Sequence, residues 1–157
     1  MGILRLGHVD ITVPDLDLAT AYYTEVMGML EVERTTDQVF FKCWDEEDHH
    51  SLAVRYDPRV GIDRFTFKVE REDDLADLED RVESYGYAVS RIGDGESIGQ
   101  GESIRFETPS GHEMELVHEV DKVGGVGRTL AGSRHRPVHR HSLVHVSARA
   151  GDREGKR

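Results

Sequence analysis

The sequence states one pattern twice, and this duplication restricts the fold more than any other feature. Residues 8–13 read His-Val-Asp-Ile-Thr-Val and residues 64–69 read Arg-Phe-Thr-Phe-Lys-Val. Apolar and polar side chains alternate in both, with Val9, Ile11 and Val13 answered by Phe65, Phe67 and Val69 at an offset of 56. Period-two alternation marks a half-buried strand with its apolar side inward. The other faces carry His8, Asp10 and Thr12 in the first copy, then Arg64, Thr66 and Lys68 in the second. A repeat of this kind redefines the folding unit, so every later assignment depends on it.

Each copy continues in the same way. After the first strand, Pro14-Asp15 makes a turn and Asp15 or Asp17 is placed to cap a helix. Leu18, Tyr22, Val26 and Met29 recur at helical spacing, and Gly28 stands where such a helix would stop. Strands are expected over 30–34, 39–44 and 51–56, separated by Thr36-Asp37 and by the acidic turn 45–48. In the second copy Asp73 or Asp74 is the expected cap, and Leu75, Leu78, Val82 and Tyr85 the apolar stripe, with Gly86 as stop. Its strands are expected over 87–92, 103–107 and 113–119, with Pro109-Ser110-Gly111 as the last turn. The predicted fold is α+β: two βαβββ modules, about 1–60 and 61–120, forming one curved mixed sheet with helices outside and a polar hollow inside.

Charge divides the chain. Residues 1–120 hold 11 Lys and Arg against 28 Asp and Glu, a balance of −17, whereas residues 121–157 hold 9 against 3, a balance of +6. An acidic body repels nucleic acid, which removes that class of specific partner. Beyond Gly124 neither period persists, so 1–123 is expected to be the folded domain and 124–157 a basic, disordered tail. Its histidines (His135, His139, His141 and His145) match no defined metal site. No apolar run is long enough for a membrane helix, and the single cysteine, Cys43, fits a reducing cytoplasmic setting.

If the modules enclose one hollow, four equivalent positions face it: His8 and Arg64 on the first strands, Ala53 and Glu115 on the last ones. His8 and Glu115 are the weak metal-ligand candidates; Ala53 offers nothing. Arg64 stands where a ligand would be needed and brings a positive charge there. The reading preferred is that Arg64 and Glu115 pair and fill the position, with His8 hydrogen-bonded nearby. His49-His50 is expected in a solvated turn, its imidazoles on opposite faces. The glycine-rich stretch 93–101 lacks the strand-to-helix context of a phosphate cradle and reads as a long hairpin loop. Cys43 is expected to be a buried structural thiol. No residue is assigned a catalytic or cofactor-binding role.

The duplicated unit resembles the vicinal-oxygen-chelate (glyoxalase-like) superfamily. More narrowly, Gly7-His8-Val9, WDEEDHHSLAVRYDP (44–58), GIDRFTFKV (61–69) and IGDGESIGQGESIRFETPSGHEMELVHE (92–119) resemble the N-terminal domain of bacterial catechol 2,3-dioxygenases. The resemblance implies an extradiol oxidoreductase of aromatic catabolism that opens a catechol ring with dioxygen at Fe(II), in a homo-oligomer. It also implies that iron sits in a second, C-terminal domain, so this chain is expected to be a fragment, inactive alone and without bound iron. The tail is read as the translation of a shifted frame. The alternative function is a stand-alone, antibiotic-type small-molecule binding protein of the same fold, its acidic hollow suited to cationic ligands. A third reading is a metalloenzyme in which His8 and Glu115 join ligands from another chain.

Overall fold

The computed structural model describes residues 2–124. Their elements run in the order β1 (Ile3–Val13), α1 (Leu16–Ala21), β2 (Leu30–Arg34), β3 (Gln38–Lys42), β4 (Leu52–Tyr56) and β5 (Gly61–Val69), then α2 (Asp73–Ser84), β6 (Val89–Ile92), β7 (Ser103–Glu107) and β8 (Glu113–Val117). All eight strands join one sheet in the order β2-β3-β4-β1-β5-β8-β7-β6. That order reads the same way from both edges once each strand is replaced by its equivalent in the other unit. Within each unit the first and last strands are parallel, as β1 with β4 and β5 with β8, while β1 meets β5 antiparallel. Val9 lies opposite Phe65, its own counterpart in the repeat, so a local two-fold axis passes between them. The fold class and the two-module architecture expected from the repeat are those observed.

Each unit packs its own core between its helix and its half of the sheet. Val39, Phe41 and Val54 are buried in the first, against Ile11, Val13, Leu16, Ala19, Tyr23 and Met29. Val69, Leu75, Ile104 and Leu116 are buried in the second, against Phe67, Leu78, Val89 and Phe106. Ile11 and Val13 of β1 and Phe67 and Val69 of β5 thus face the helix-side cores, as the alternation required, and the polar positions between them face the other side. Gly28 and Gly86 end the helical segments at φ of 71° and 90°, a conformation that glycine reaches without a Cβ clash.

Several local expectations are corrected. The first helix packs Leu16, Ala19 and Tyr23, partly buried, against the core rather than Leu18, Tyr22 and Val26, which are 70%, 50% and 69% exposed. The chain offers two apolar faces, and the contact of Tyr23 on Phe41, 5.6 Å between ring centres, belongs to the one with small Ala19 at its middle. After Ala21 the helix widens into a π turn over Tyr22–Val26, where the Met27 N–H donates to the Tyr22 carbonyl. Only Met29 of the expected stripe joins the core. Tyr85, last of the second stripe, is exposed as well. Asp15 caps α1 through the Leu18 N–H at 2.9 Å. At α2 neither Asp73 nor Asp74 occupies the cap position, which is Glu72; Asp74 is fully buried and accepts the N–H groups of Arg71 and Gly2. Cys43 is exposed, because β3 ends at Lys42 and the thiol lies beyond the ladder. The expectation of a disordered tail falls on residues outside those described.

Candidate functional site

Alternation along β1, β4, β5 and β8 brings one set of polar side chains to the face away from the helices. Ladder register fixes their neighbours. Asp10 pairs across to Arg64 on β5 and lies beside Ala53 on β4, while Thr66, opposite His8, lies beside Glu115 on β8. The two-fold axis therefore relates His8 to Arg64 and Ala53 to Glu115, the four positions expected from the sequence. One step outward, Phe40 on β3 corresponds to Arg105 on β7. Together with the 93–101 loop, these strands border a hollow of about 560 Å³ whose lining is largely polar.

Glu115 is the centre of the buried network. It is fully buried, and its Oε2 lies 2.8 Å from Arg64 Nε and accepts from Thr66 Oγ1 at 3.3 Å. Its Oε1 accepts from Gln100 Nε2 at 2.7 Å and from Ser103 Oγ, and lies 3.1 Å from Arg105 Nε. Burial alone would raise the pKa of this carboxyl, but Arg64, Ser103 and Arg105 outweigh it and hold it below the usual range. Arg64 also reaches Asp10 at 3.0 Å and Glu113 at 3.4 Å, so one guanidinium serves three carboxylates. Burial disfavours its charge, yet these neighbours raise its pKa.

His8 is 3% exposed, and its Nε2 lies 3.5 Å from Asp10 Oδ2. Burial pushes its pKa down to about 4, with Glu115 opposing and Arg64 assisting. His50, also buried, is pushed down to about 2 by burial and by its neighbours His8 and His49. Burial raises the Asp10 carboxyl to about 6 despite Arg64. The imidazoles are therefore neutral across the physiological range.

The 45–50 segment is not the solvated turn expected. Asp48, His49 and His50 are buried, and Asp48 faces Arg5, Lys68 and Lys122. His49 Nδ1 and His50 Nδ1 stand 2.9 Å apart, with His49 Nε2 reaching Glu33 at 3.2 Å. The opposite-face rule fails here because these residues precede β4 and follow no regular ladder. Gly99 makes the burial possible, since its backbone lies directly against the His49 ring. The 93–101 stretch does lie between the antiparallel strands β6 and β7, as a hairpin loop should. Its residue Gln100 reaches into the site, a role that no motif announced. Asp10 was legible, because it shares the face of His8.

The donor set does not fit a catalytic metal. Both oxygens of Glu115 already face several donors, and the Arg64 guanidinium lies between Asp10 and Glu115, where a cation would sit. Among the described residues no three His, Cys, Asp or Glu side chains are grouped to hold an ion.

The two histidines make folding pH-dependent. Unfolded imidazoles take up protons from about pH 6.5 downward, whereas the folded ones resist to about 4 at His8 and about 2 at His50. The unfolded state then binds more protons, so stability falls with falling pH. Asp10 opposes this in part, its folded carboxyl protonating near 6 and its unfolded one near 3.8. A net loss of about 2 kcal/mol between pH 7 and pH 5 is expected in urea titrations. His50→Phe should flatten that slope; an unchanged slope would contradict the assignment.

The chain is similar to known proteins. Residues 62–121 match the family model described as the catechol 2,3-dioxygenase-like N-terminal domain. Metapyrocatechase of Pseudomonas sp. (strain CF600) is 37% identical over 127 residues, which are 80% of this chain and 41% of that protein. The manganese-dependent 2,3-dihydroxybiphenyl 1,2-dioxygenase of Geobacillus genomosp. 3 is 29% identical over 76% of this chain and 38% of its own length. Among solved structures, the 2,3-dioxygenase LapB from Pseudomonas sp. KL28 superposes with a TM-score of 0.75 at 41% identity, over 78% of this chain and 43% of that one. The chain thus spans about two fifths of the length of the curated relatives it matches.

Proposed function

Because this chain carries the N-terminal domain of the catechol 2,3-dioxygenase type of extradiol dioxygenase, we propose that it forms the metal-free domain of a ring-cleaving enzyme. The whole enzyme would open a catechol-type ring with dioxygen at Fe(II), in aromatic-compound degradation. The observation that supports this reading is the Arg64–Glu115 pair, 2.8 Å apart, which occupies two of the four repeat-related positions facing the hollow. A guanidinium there neutralises the carboxylate that a metal would need, so in this reading chemistry at iron belongs to residues other than the described ones. Homo-oligomeric assembly and a reducing cytoplasm are further parts of this reading; the exposed thiol of Cys43 suits such a compartment. No helix among the described residues is long and apolar enough to cross a membrane.

The test is direct. The purified chain incubated with Fe(II), catechol and air should form no yellow ring-opened semialdehyde, and should retain no stoichiometric metal after dialysis. Sustained yellow product, or one tightly held metal ion per chain, would overturn the assignment.

A further inference from the structure

The hollow is lined by more carboxylates than guanidiniums. Three guanidiniums line it, and each already faces a carboxylate: Arg55 lies 2.8 Å from Asp63, Arg64 contacts Asp10 and Glu115, and Arg105 lies 3.1 Å from Glu115. Three acceptors remain unmatched, while the Nε–H groups of Arg64 and Arg105, 2.8 and 3.1 Å from Glu115, are held there by charge without a well-aligned hydrogen bond. Gln100, 4% exposed, directs its amide N–H to Glu115, which leaves Oε1 without a partner in the protein. With its Nε2 toward Asp10, buried His8 leaves Nδ1 without a donor, and Asp10 Oδ2 accepts no hydrogen bond. Five carboxylates (Asp10, Asp37, Asp63, Glu96 and Glu113) line the hollow against three arginines. Buried acceptors lacking donors are costly, so the group that completes this site brings N–H donors and positive charge.

We propose that the hollow binds a small organic cation, an ammonium or guanidinium compound, whose N–H groups meet Asp10, Gln100 and His8. A hollow of about 560 Å³ falls in the range of small-molecule sites. Phe40 lines it too and offers an aromatic ring to such a cation. An anion is disfavoured because each of the three guanidiniums already lies within 3.1 Å of a carboxylate and the lining carries more carboxylates than arginines. A divalent ion is disfavoured because no three ligating side chains are grouped among the described residues. This site is independent of the ring-cleavage assignment and could exist whichever way that test falls.

Calorimetric titration of the full chain with agmatine, which carries an ammonium and a guanidinium, tests the proposal; succinate serves as the charge-reversed control. One saturable agmatine site per chain is expected, weaker at high salt. Asp10→Asn should weaken binding about tenfold through loss of a charge-assisted contact. Asp37→Asn should weaken it roughly threefold through loss of a nearby charge. The Asp37 side chain accepts from Thr35 Oγ1, so this second variant remains decisive if Asp10→Asn does not fold. Absent agmatine saturation, unchanged affinity in Asp37→Asn, or tighter binding of succinate would each overturn the proposal.

Discussion

Replacing Glu115 by alanine is expected to lower the free energy of unfolding by about 3–5 kcal/mol, the loss typical of breaking a buried ion pair from one side. The magnitude follows from what stays behind. Arg64 would keep Asp10 and Glu113, but its Nε would face an empty space where a carboxylate stood. Gln100, Ser103 and Thr66 would each lose an acceptor inside the protein. Such a loss is a large share of the stability of an ordinary domain. A matched replacement separates charge from packing: Glu115→Leu with Arg64→Met removes both partners and should recover a substantial part of the loss. Urea titration of the three proteins gives the values. A Glu115→Ala variant within about 1 kcal/mol of the parent would show that the network is not structural.

Gly99→Ala is expected to destabilise the fold by about 3 kcal/mol, for two independent reasons. The backbone at Gly99 has φ of +76°, where a Cβ clashes with the chain itself at a penalty of about 1–2 kcal/mol. In addition, an added Cβ would stand 2.5 Å from Cγ and 2.9 Å from Cβ of His49. His49 has little freedom to withdraw, since it is held to His50 and to Glu33. Gly95→Ala provides the internal control: φ there is +80°, but nothing lies within 4 Å of the new Cβ. That variant should show the backbone penalty alone, about 1 kcal/mol. Equal effects of the two substitutions would mean that the loop does not press on His49.

Part of the site was legible because periodicity reports which residues share a face. From the alternation alone, His8, Asp10, Arg64 and Glu115 could be placed on the polar side of the sheet. The repeat then paired His8 with Arg64 and Ala53 with Glu115, and ladder register carries the same equivalence. Gln100 and the His49–His50 pair were not legible. They belong to segments with no period, and their position depends on where a long loop folds back. The isolated bridges Gln100–Val120 and Asp48–Lys122 bring distant segments onto them.

The first helix shows the same division. Its sequence supports an apolar stripe through Leu18, Tyr22 and Val26 as readily as one through Leu16, Ala19 and Tyr23. Only packing against Phe41 and its neighbours selects the second. What the sequence determined by itself was the duplicated unit, the strands, and the guanidinium facing the carboxylate across the hollow. The tertiary structure alone decided which helix face is covered, that Asp48, His49 and His50 are buried, and that Cys43 is exposed. Local spacing encodes which side chains point together; whether that side meets water or protein is set by chain segments far away in the sequence.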